Sequence, residues 1–351
     1  MPRKKKKVPD SNKTNKRTIS LKELATHLDL SPTSLSLVLN NAPAATSIPQ
    51  ETKNRIFEAA AKFNYRPNYF ARSLRAQRSF TFGVIVPELS DGYSAMVLNG
   101  VESILSREGF FYLTACHLHR DDLLEKHPQL LMERQVEAII AVDTPIRFNP
   151  IFPVVHVSGQ EEIPGVTNVI LNHQVAARLG IEHLHSLGHE KIAVIKGQVF
   201  SSDTEIRFQK IVEEAKALDL EIDEALVSQL EGDSPSPEIG YIAAKKLLAA
   251  KKEFTALFAF NDVSAIGAIQ ALREAGLRVP EDVSVLGFDD IYAAAFHNPS
   301  LTTIRQPLFE MGQIAAQSLL DKLTEQPAEF KSETVTVEPQ LIVRQSTGPV
   351  K

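Results

Sequence analysis

From Phe80 onward the sequence switches repeatedly between two hydrophobic periods, and this alternation limits the fold more than any other feature. Short apolar runs rich in β-branched residues lie at 81–86, 110–115, 138–142, 154–157, 166–171, 192–195, 256–260 and 283–288. Between them, stretches such as 94–108, 173–187, 203–218 and 262–275 carry apolar residues three and four apart, the signature of amphipathic helices. Gly109, Gly188 and Gly276 follow three of the helical stretches, and glycine accepts the left-handed backbone that closes a helix. Strand–helix–strand repetition builds parallel sheets covered by helices on both faces. The segment 80–351 is long for one such sheet and suits two lobes.

The residues before Phe80 follow a different pattern. Leu21, Leu24, Ala25 and Leu28 mark a helix with one buried face, and Asp29 with Leu30 makes a tight turn. Ser31 offers an N-cap oxygen and Pro32 suits the first helical position. The second helix, 32–39, buries Leu35, Val38 and Leu39 and turns Thr33, Ser34, Ser36 and Leu37 outward. After a proline-containing loop, a third helix at 50–63 places Ile56, Phe57, Ala60 and Phe63 on one face. Two short helices braced by a third make a helix-turn-helix unit, although any small helical bundle has the same periodicity.

Charge favours the DNA-binding version. The chain's net −5 conceals a split: residues 1–78 carry 16 Lys and Arg against five acids, a net of +11, leaving −16 for the remainder. Residues 1–17, which include Arg3 to Lys7, read as a disordered basic tail. Residues 18–78 still hold eight bases against four acids, so a basic module remains without that tail. Such asymmetry marks a nucleic-acid-binding arm on an acidic body. The segment 65–79 holds a helix that Pro67 can start, too short to be stable alone in water.

Other functions leave no trace. No GxGxxG, P-loop or GxSxG elbow occurs, so no catalytic residue and no cofactor is expected. Cys116 is the single cysteine; it excludes a disulfide framework and suits a reducing cytoplasm. His183 and His185 are two apart and point to different faces of a helix, so the histidines read as structural and no metal is expected. No apolar run approaches 18 residues, and no apolar stretch follows the basic N-terminus, so neither a membrane association nor secretion is expected. The nearest rival is a binding protein without gene regulation, from which residues 18–78 separate this chain.

The strings SPTSLSLVLN (31–40), TKNRIFEAA (52–60), YRPNYFARSLR (65–75), FGVIVPELS (82–90), EHLHSLGHEKIAVI (182–195), FAFNDVSAIGA (258–268), LREAGLRVPEDVSVLGFDD (272–290) and LTTIRQPLFEMGQIAAQSLL (301–320) resemble the lactose-repressor (LacI/GalR) family of bacterial transcription regulators. The resemblance runs over roughly residues 18–347. It implies a helix-turn-helix domain at 18–64, a hinge helix and linker at 65–79, and a two-lobed α/β body at 80–351 like sugar-binding proteins of the periplasm, with lobe crossovers near 171, 303 and 330. The function implied is that of a cytoplasmic repressor, nucleoid-associated when bound, that binds a palindromic double-stranded DNA operator as a homodimer. A small-molecule effector in the inter-lobe cleft, a sugar or related metabolite, would control it. Dimer contacts are expected around the helix at 94–108.

Residue by residue, the resemblance assigns DNA contacts to Ser31, Pro32, Thr33, Ser34, Ser36, Leu37 and Asn40 in the head, and to Asn68, Ala71 and Leu74 in the hinge. Leu74 matches the leucine that wedges into a central base step, where an apolar side chain unstacks bases and kinks the duplex; packing against a partner hinge is the plainer alternative. Effector contacts fall on Tyr93, Ser94, His156, Arg207, Asn261, Asp289 and Gln306. Strand position alone points to the same neighbourhood, since ligands of parallel sheets sit beyond the carboxyl ends of strands: Ser90 to Ser94, His156, Asn261, Asp262 and Asp289. Arg207 with Asn261 and Asp289 suits a sugar's hydroxyls or an acidic ligand. Three departures stand out. Leu37 replaces a base-reading Arg, His156 replaces a common Asp, and Ser234 stands where an aromatic often stacks on the ligand.

Overall fold

The computed structural model describes residues 19–40, 42–66, 73–74, 77–90, 92–148, 151–233, 236–323 and 331–351. The chain divides into two compact units, Met1–Arg78 and Ser79–Lys351.

In the first unit, α1 (Leu21–Leu28), α2 (Pro32–Leu39) and α3 (Gln50–Lys62) surround a core of Leu24, Leu35 and Ile56, each fully buried. Burial of each such side chain contributes about 1.5–3 kcal/mol. A capping box opens α1: the Ser20 hydroxyl accepts from Glu23 N at 3.2 Å, and Ser20 N donates to the Glu23 carboxylate at 2.7 Å. Asp29 ends α1 in left-handed backbone, φ 55°. Phe57, expected on the buried face of α3, is 49% exposed. It lies one residue past Ile56 and therefore about 100° around the helix, while Ala59 and Ala60 complete the inward face. Leu39, also expected in the core, is half-buried. The expected tail 1–17, Asn68 and Ala71 lie outside the described residues; of the hinge, Ser73 and Leu74 are helical.

The second unit contains two six-stranded sheets. The first has the order β11–β5–β4–β3–β1–β2, all parallel, from β1 (Thr81–Val86), β2 (Phe111–Cys116), β3 (Ala138–Val142), β4 (Val154–Val157), β5 (Val166–Leu171) and β11 (Glu333–Val337). The second has the order β12–β10–β9–β8–β6–β7, from β6 (Ile192–Lys196), β7 (Val227–Gln229), β8 (Ala256–Ala259), β9 (Ser284–Asp289), β10 (Thr302–Arg305) and β12 (Gln340–Ile342). Only β12 in that sheet runs antiparallel, against β10. β1, β3, β4, β8 and β9 are buried along their whole length, which is why the sequence shows them as continuous apolar runs. β7, β10, β11 and β12 have no counterpart among the runs read from the sequence. They are three to five residues long, and β11 interleaves polar and apolar residues as a sheet-edge strand does.

Helices α4 (Tyr93–Leu105), α5 (Asp121–Glu133), α6 (His173–Ser186), α7 (Asp203–Ala217), α8 (Pro237–Ala249), α9 (Asp262–Glu274), α10 (Tyr292–Phe296) and α11 (Leu308–Lys322) cover the sheets. The chain passes between lobes three times: after β5, after β10, and between β11 and β12 at 338–339. The last crossing was expected near 330. It comes later because 333–337 pairs with β5 of the first sheet, Val335 opposite Val169, before the chain leaves that lobe. Each lobe also has a glycine-dependent helix contact. A Cβ on Gly312 of α11 would meet Val97 O of α4 at 2.0 Å, and one on Gly267 of α9 would meet Pro237 O of α8 at 1.8 Å.

Candidate functional site

The head presents one short polar helix start. Ser31 Oγ accepts from Ser34 N at 3.0 Å and lies 2.9 Å from Ser34 Oγ, so the cap is doubly tied. Ser31, Pro32, Thr33 and Asn40 are exposed, and Ser34 and Ser36 are half-buried. Asn40 Nδ2 donates to Ser36 O at 2.7 Å, holding its amide along the same face. Leu37, expected outward, is half-buried and packs against the head core, because an apolar side chain at the edge of a small core gains by folding back onto it. Leu74 is 83% exposed.

In the second unit, the loops that follow the strands of both sheets surround one cleft. Gly92, at φ 91°, starts α4 and sets Tyr93 and Ser94 at the cleft. Asn261 caps α9, its side-chain oxygen accepting from Ser264 N at 2.8 Å. Asp289 ends β9 with φ 108°, a strained value for a residue with a side chain, of the kind that clusters at binding sites. Gln306 follows β10 and donates through Nε2 to Asp289 Oδ1 at 2.6 Å, leaving its Oε1 buried without a partner. Arg207, on α7, is 4% exposed. Its guanidinium lies 3.7 Å from the Phe288 ring centroid and 4.4 Å from that of Phe260, and donates to Phe260 O at 2.6 Å.

Thus Tyr93, Ser94, Arg207, Asn261, Asp289 and Gln306 line one cleft, and His156 does not. The His156 ring is 5% exposed within β4 and sits against Gly159, where a Cβ would come within 2.0 Å of Nδ1. Neither ring nitrogen has a hydrogen-bond partner, and burial pushes its pKa down to about 4, so the ring is neutral. Asp262 is also turned away. Its carboxylate accepts from Thr303 Oγ1 at 2.6 Å and Ile291 N at 2.9 Å, tying α9 to the ends of β9 and β10. Ser234 lies outside the described residues.

The sequence reading missed Asp143, Asp203, Ser201 and His119 on the cleft wall. Asp143 directly follows β3, so the strand-end rule already pointed to it. Asp203 carries no such signal: it opens α7 one turn before Arg207 and is recognised only by its partners. Its carboxylate accepts from Arg207 Nη2 at 3.1 Å and from Gln160 Nε2 at 2.8 Å, and lies 3.2 Å from His173 Nε2. Burial alone would raise its pKa; His173, Arg207 and Gln160 outweigh that and hold it at about 2. Asp143 behaves oppositely, pushed up to about 7 by desolvation and by the nearby Asp203 charge. His119 stacks on Phe200 from the other lobe, centroids 3.8 Å apart, and burial lowers its pKa. Tyr93 Oη lies 2.6 Å from Ser158 Oγ, and burial followed by the Asp203 charge raises its pKa well above the usual phenol value. No group of three His, Cys, Asp or Glu suited to a metal occurs among the described residues.

Known proteins match both units. Residues 181–347 fit the family described as periplasmic binding protein-like domain. The HTH-type transcriptional repressor PurR of Haemophilus influenzae is 33% identical over 345 residues, covering 94% of this chain and 99% of that one. Among solved structures, the lac repressor dimer bound to operator and the anti-inducer ONPF superposes with a TM-score of 0.81 at 24% identity, covering 95% of this chain and 100% of that chain. The regulator CelR in complex with cellobiose has a TM-score of 0.70 at 26% identity, with 93% and 99% covered.

Proposed function

Since the chain belongs to the LacI/GalR family of transcription regulators, we propose that it represses transcription as a homodimer on a palindromic operator, released or recruited by a small hydroxylated molecule in the cleft. The chain is an effector-controlled DNA-binding repressor and not an enzyme. Ser31, Pro32, Thr33, Ser34, Ser36, Leu37 and Asn40 face the bases of the major groove. The segment bearing Asn68, Ala71 and Leu74 lies in the minor groove, with Leu74 as its wedge. The protein works in the cytoplasm, on the nucleoid when bound. Tyr93, Ser94, Arg207, Asn261, Asp289 and Gln306 hold the effector.

One observation carries the effector assignment. Side chains from the strand ends of both sheets converge on one cleft, and two of their buried atoms, Arg207 Nε and Gln306 Oε1, have no protein partner. Buried polar groups are almost always satisfied, so unpaired ones on a cavity wall are the mark of a ligand that supplies the bond. Occupancy then changes operator affinity by linkage: a ligand favouring one of two states shifts the equilibrium by the ratio of its affinities. Genomic footprinting identifies the operators, and a reporter placed behind one of them reads repression across growth conditions. Gln306→Leu keeps the volume and removes the amide, so it should repress normally and lose the response to conditions. A full response from both this variant and Tyr93→Phe would sink the assignment.

A further inference from the structure

We propose that the cleft selects a ligand carrying a protonated amine and rejects anionic ligands such as sugar phosphates and carboxylates. The proposal rests on the reading of the cleft as the effector site and narrows the chemistry of what enters it.

Four carboxylates, those of Glu88, Asp143, Asp203 and Asp289, line the cleft, against Arg207 as the one permanent cation among the described lining residues. That cation is already committed. Nη2 pairs with Asp203, Nη1 donates to Phe260 O, and Phe288 and Phe260 lie against the guanidinium, so its charge is already matched by a carboxylate and Nε is the nitrogen that has no partner. An entering anion therefore meets no unpaired cation and three further carboxylates. In a low-dielectric cleft, like charge at such range costs far more than in water.

A cation finds the reverse. The side-chain partners of Asp143 are two hydroxyls, Ser202 Oγ at 3.3 Å and Ser201 Oγ at 3.5 Å, and neither neutralises a carboxylate. Its pKa of about 7 is raised by burial and by the Asp203 charge more than the Ser202 hydrogen bonds and the Arg207 charge lower it. Gln306 is 1% exposed, and its amide orientation is fixed by donation to Asp289, so the unpartnered atom is the acceptor Oε1. An ammonium group brings three donors and one positive charge, which suits a cleft lined by a carboxylate whose side-chain partners are hydroxyls and by the unpaired acceptor of Gln306. A neutral polyol would satisfy Gln306 and bring no charge to the carboxylates of the wall.

The test reads the cleft's preference for charge directly in the full-length chain. In a Cys116→Ser background, Ser201→Cys places a thiol on the cleft wall, with Gln198→Cys as a second position if the first variant does not fold. The thiol is reacted at low ionic strength with methanethiosulfonates carrying trimethylammonium-ethyl, methyl or sulfonatoethyl groups. Each rate is divided by that of free 2-mercaptoethanol, so the thiolate fraction cancels from the ratios. The expected order is cationic above neutral above anionic, with the cationic-to-anionic ratio at least about tenfold and reduced by Asp143→Asn. A neutral reagent reacting as fast as the cationic one favours a polyol and overturns the proposal, as does an anionic reagent at parity. Because this chemistry does not involve DNA, its failure leaves effector control standing, whereas failure of the reporter test leaves the cleft's charge preference standing.

Discussion

Leu37 and Asp143 show how much a single side chain decides in this protein. Leu37 stands where the family resemblance implies a base-reading arginine, and it is anchored at the edge of the head core. An apolar side chain offers bases only apolar contact, for example to a thymine methyl, whereas arginine contacts guanine through two hydrogen bonds. Arginine's long stem allows the charged end to leave the core edge, so Leu37→Arg should fold and shift the selected half-site toward guanine at one position. An unchanged profile in a random-site selection would count against Leu37 facing bases. Asp143 makes a prediction about pH. Its folded pKa of about 7 lies above its unfolded value, so the folded state holds the proton more tightly. Its ionisation therefore destabilises the fold progressively between about pH 4 and pH 7, and fully above that. Asp143→Asn should raise the melting temperature at pH 8, with the gain shrinking toward pH 4; a gain independent of pH would contradict the assignment. Arg207 is a poor subject for simple truncation, because removing it leaves the buried Asp203 carboxylate with only His173 and Gln160 as partners and should lower the urea midpoint.

Among the elements, α2 and the helix–helix contacts of the body carry the sharpest consequences. The Ser31 cap ties down the start of α2, so Ser31→Ala should cost about 1 kcal/mol of stability. The α4–α11 and α8–α9 contacts each bring backbone within a Cβ's reach of a glycine. Gly267→Ala must push α8 away from α9, since the obstacle is the backbone carbonyl of Pro237 and not a flexible side chain. Overpacking of this kind costs about 1–3 kcal/mol, visible as a lowered denaturation midpoint. In the hinge, Leu74→Ala should reduce operator bending in a gel-mobility or energy-transfer assay while leaving non-specific DNA affinity intact. Unchanged bending would return Leu74 to a role in packing.

For the molecule as a whole, the decisive quantity is the placement of charge and not its sum. A head and tail of +11 neutralise phosphates and release counterions, so operator affinity should fall steeply with salt. With six to ten phosphate contacts, the loss between 50 and 200 mM salt is about 10³–10⁵-fold. A shallow dependence in an anisotropy titration would mean that the basic module does not carry the binding. The body, at −16, keeps the same polarity inside its cleft, where carboxylates outnumber the guanidinium.

Much of this arrangement follows from the sequence alone. The alternation of strand and helix periods, the cap at Ser31, and Tyr93, Ser94, Asn261 and Asp289 on the cleft are local or strand-end properties, written in neighbouring residues, whereas Arg207 and Gln306 are assigned by the family resemblance. Tertiary structure decided the rest. His156 and Asn261 both lie at the carboxyl ends of their strands, yet packing against Gly159 turns one away from the cleft while the other lines it. The crossing at 338–339 depends on a strand whose pairing partner lies more than 160 residues earlier in the chain. The pairing of Arg207 by Asp203, and of Asp203 by His173 and Gln160, joins residues that no sequence period connects. Periodicity reports which face of an element meets the core, because that depends on neighbours one turn or two residues away. Which atom meets a cavity, and whether its charge is already paired, depends on chain segments that only folding brings together.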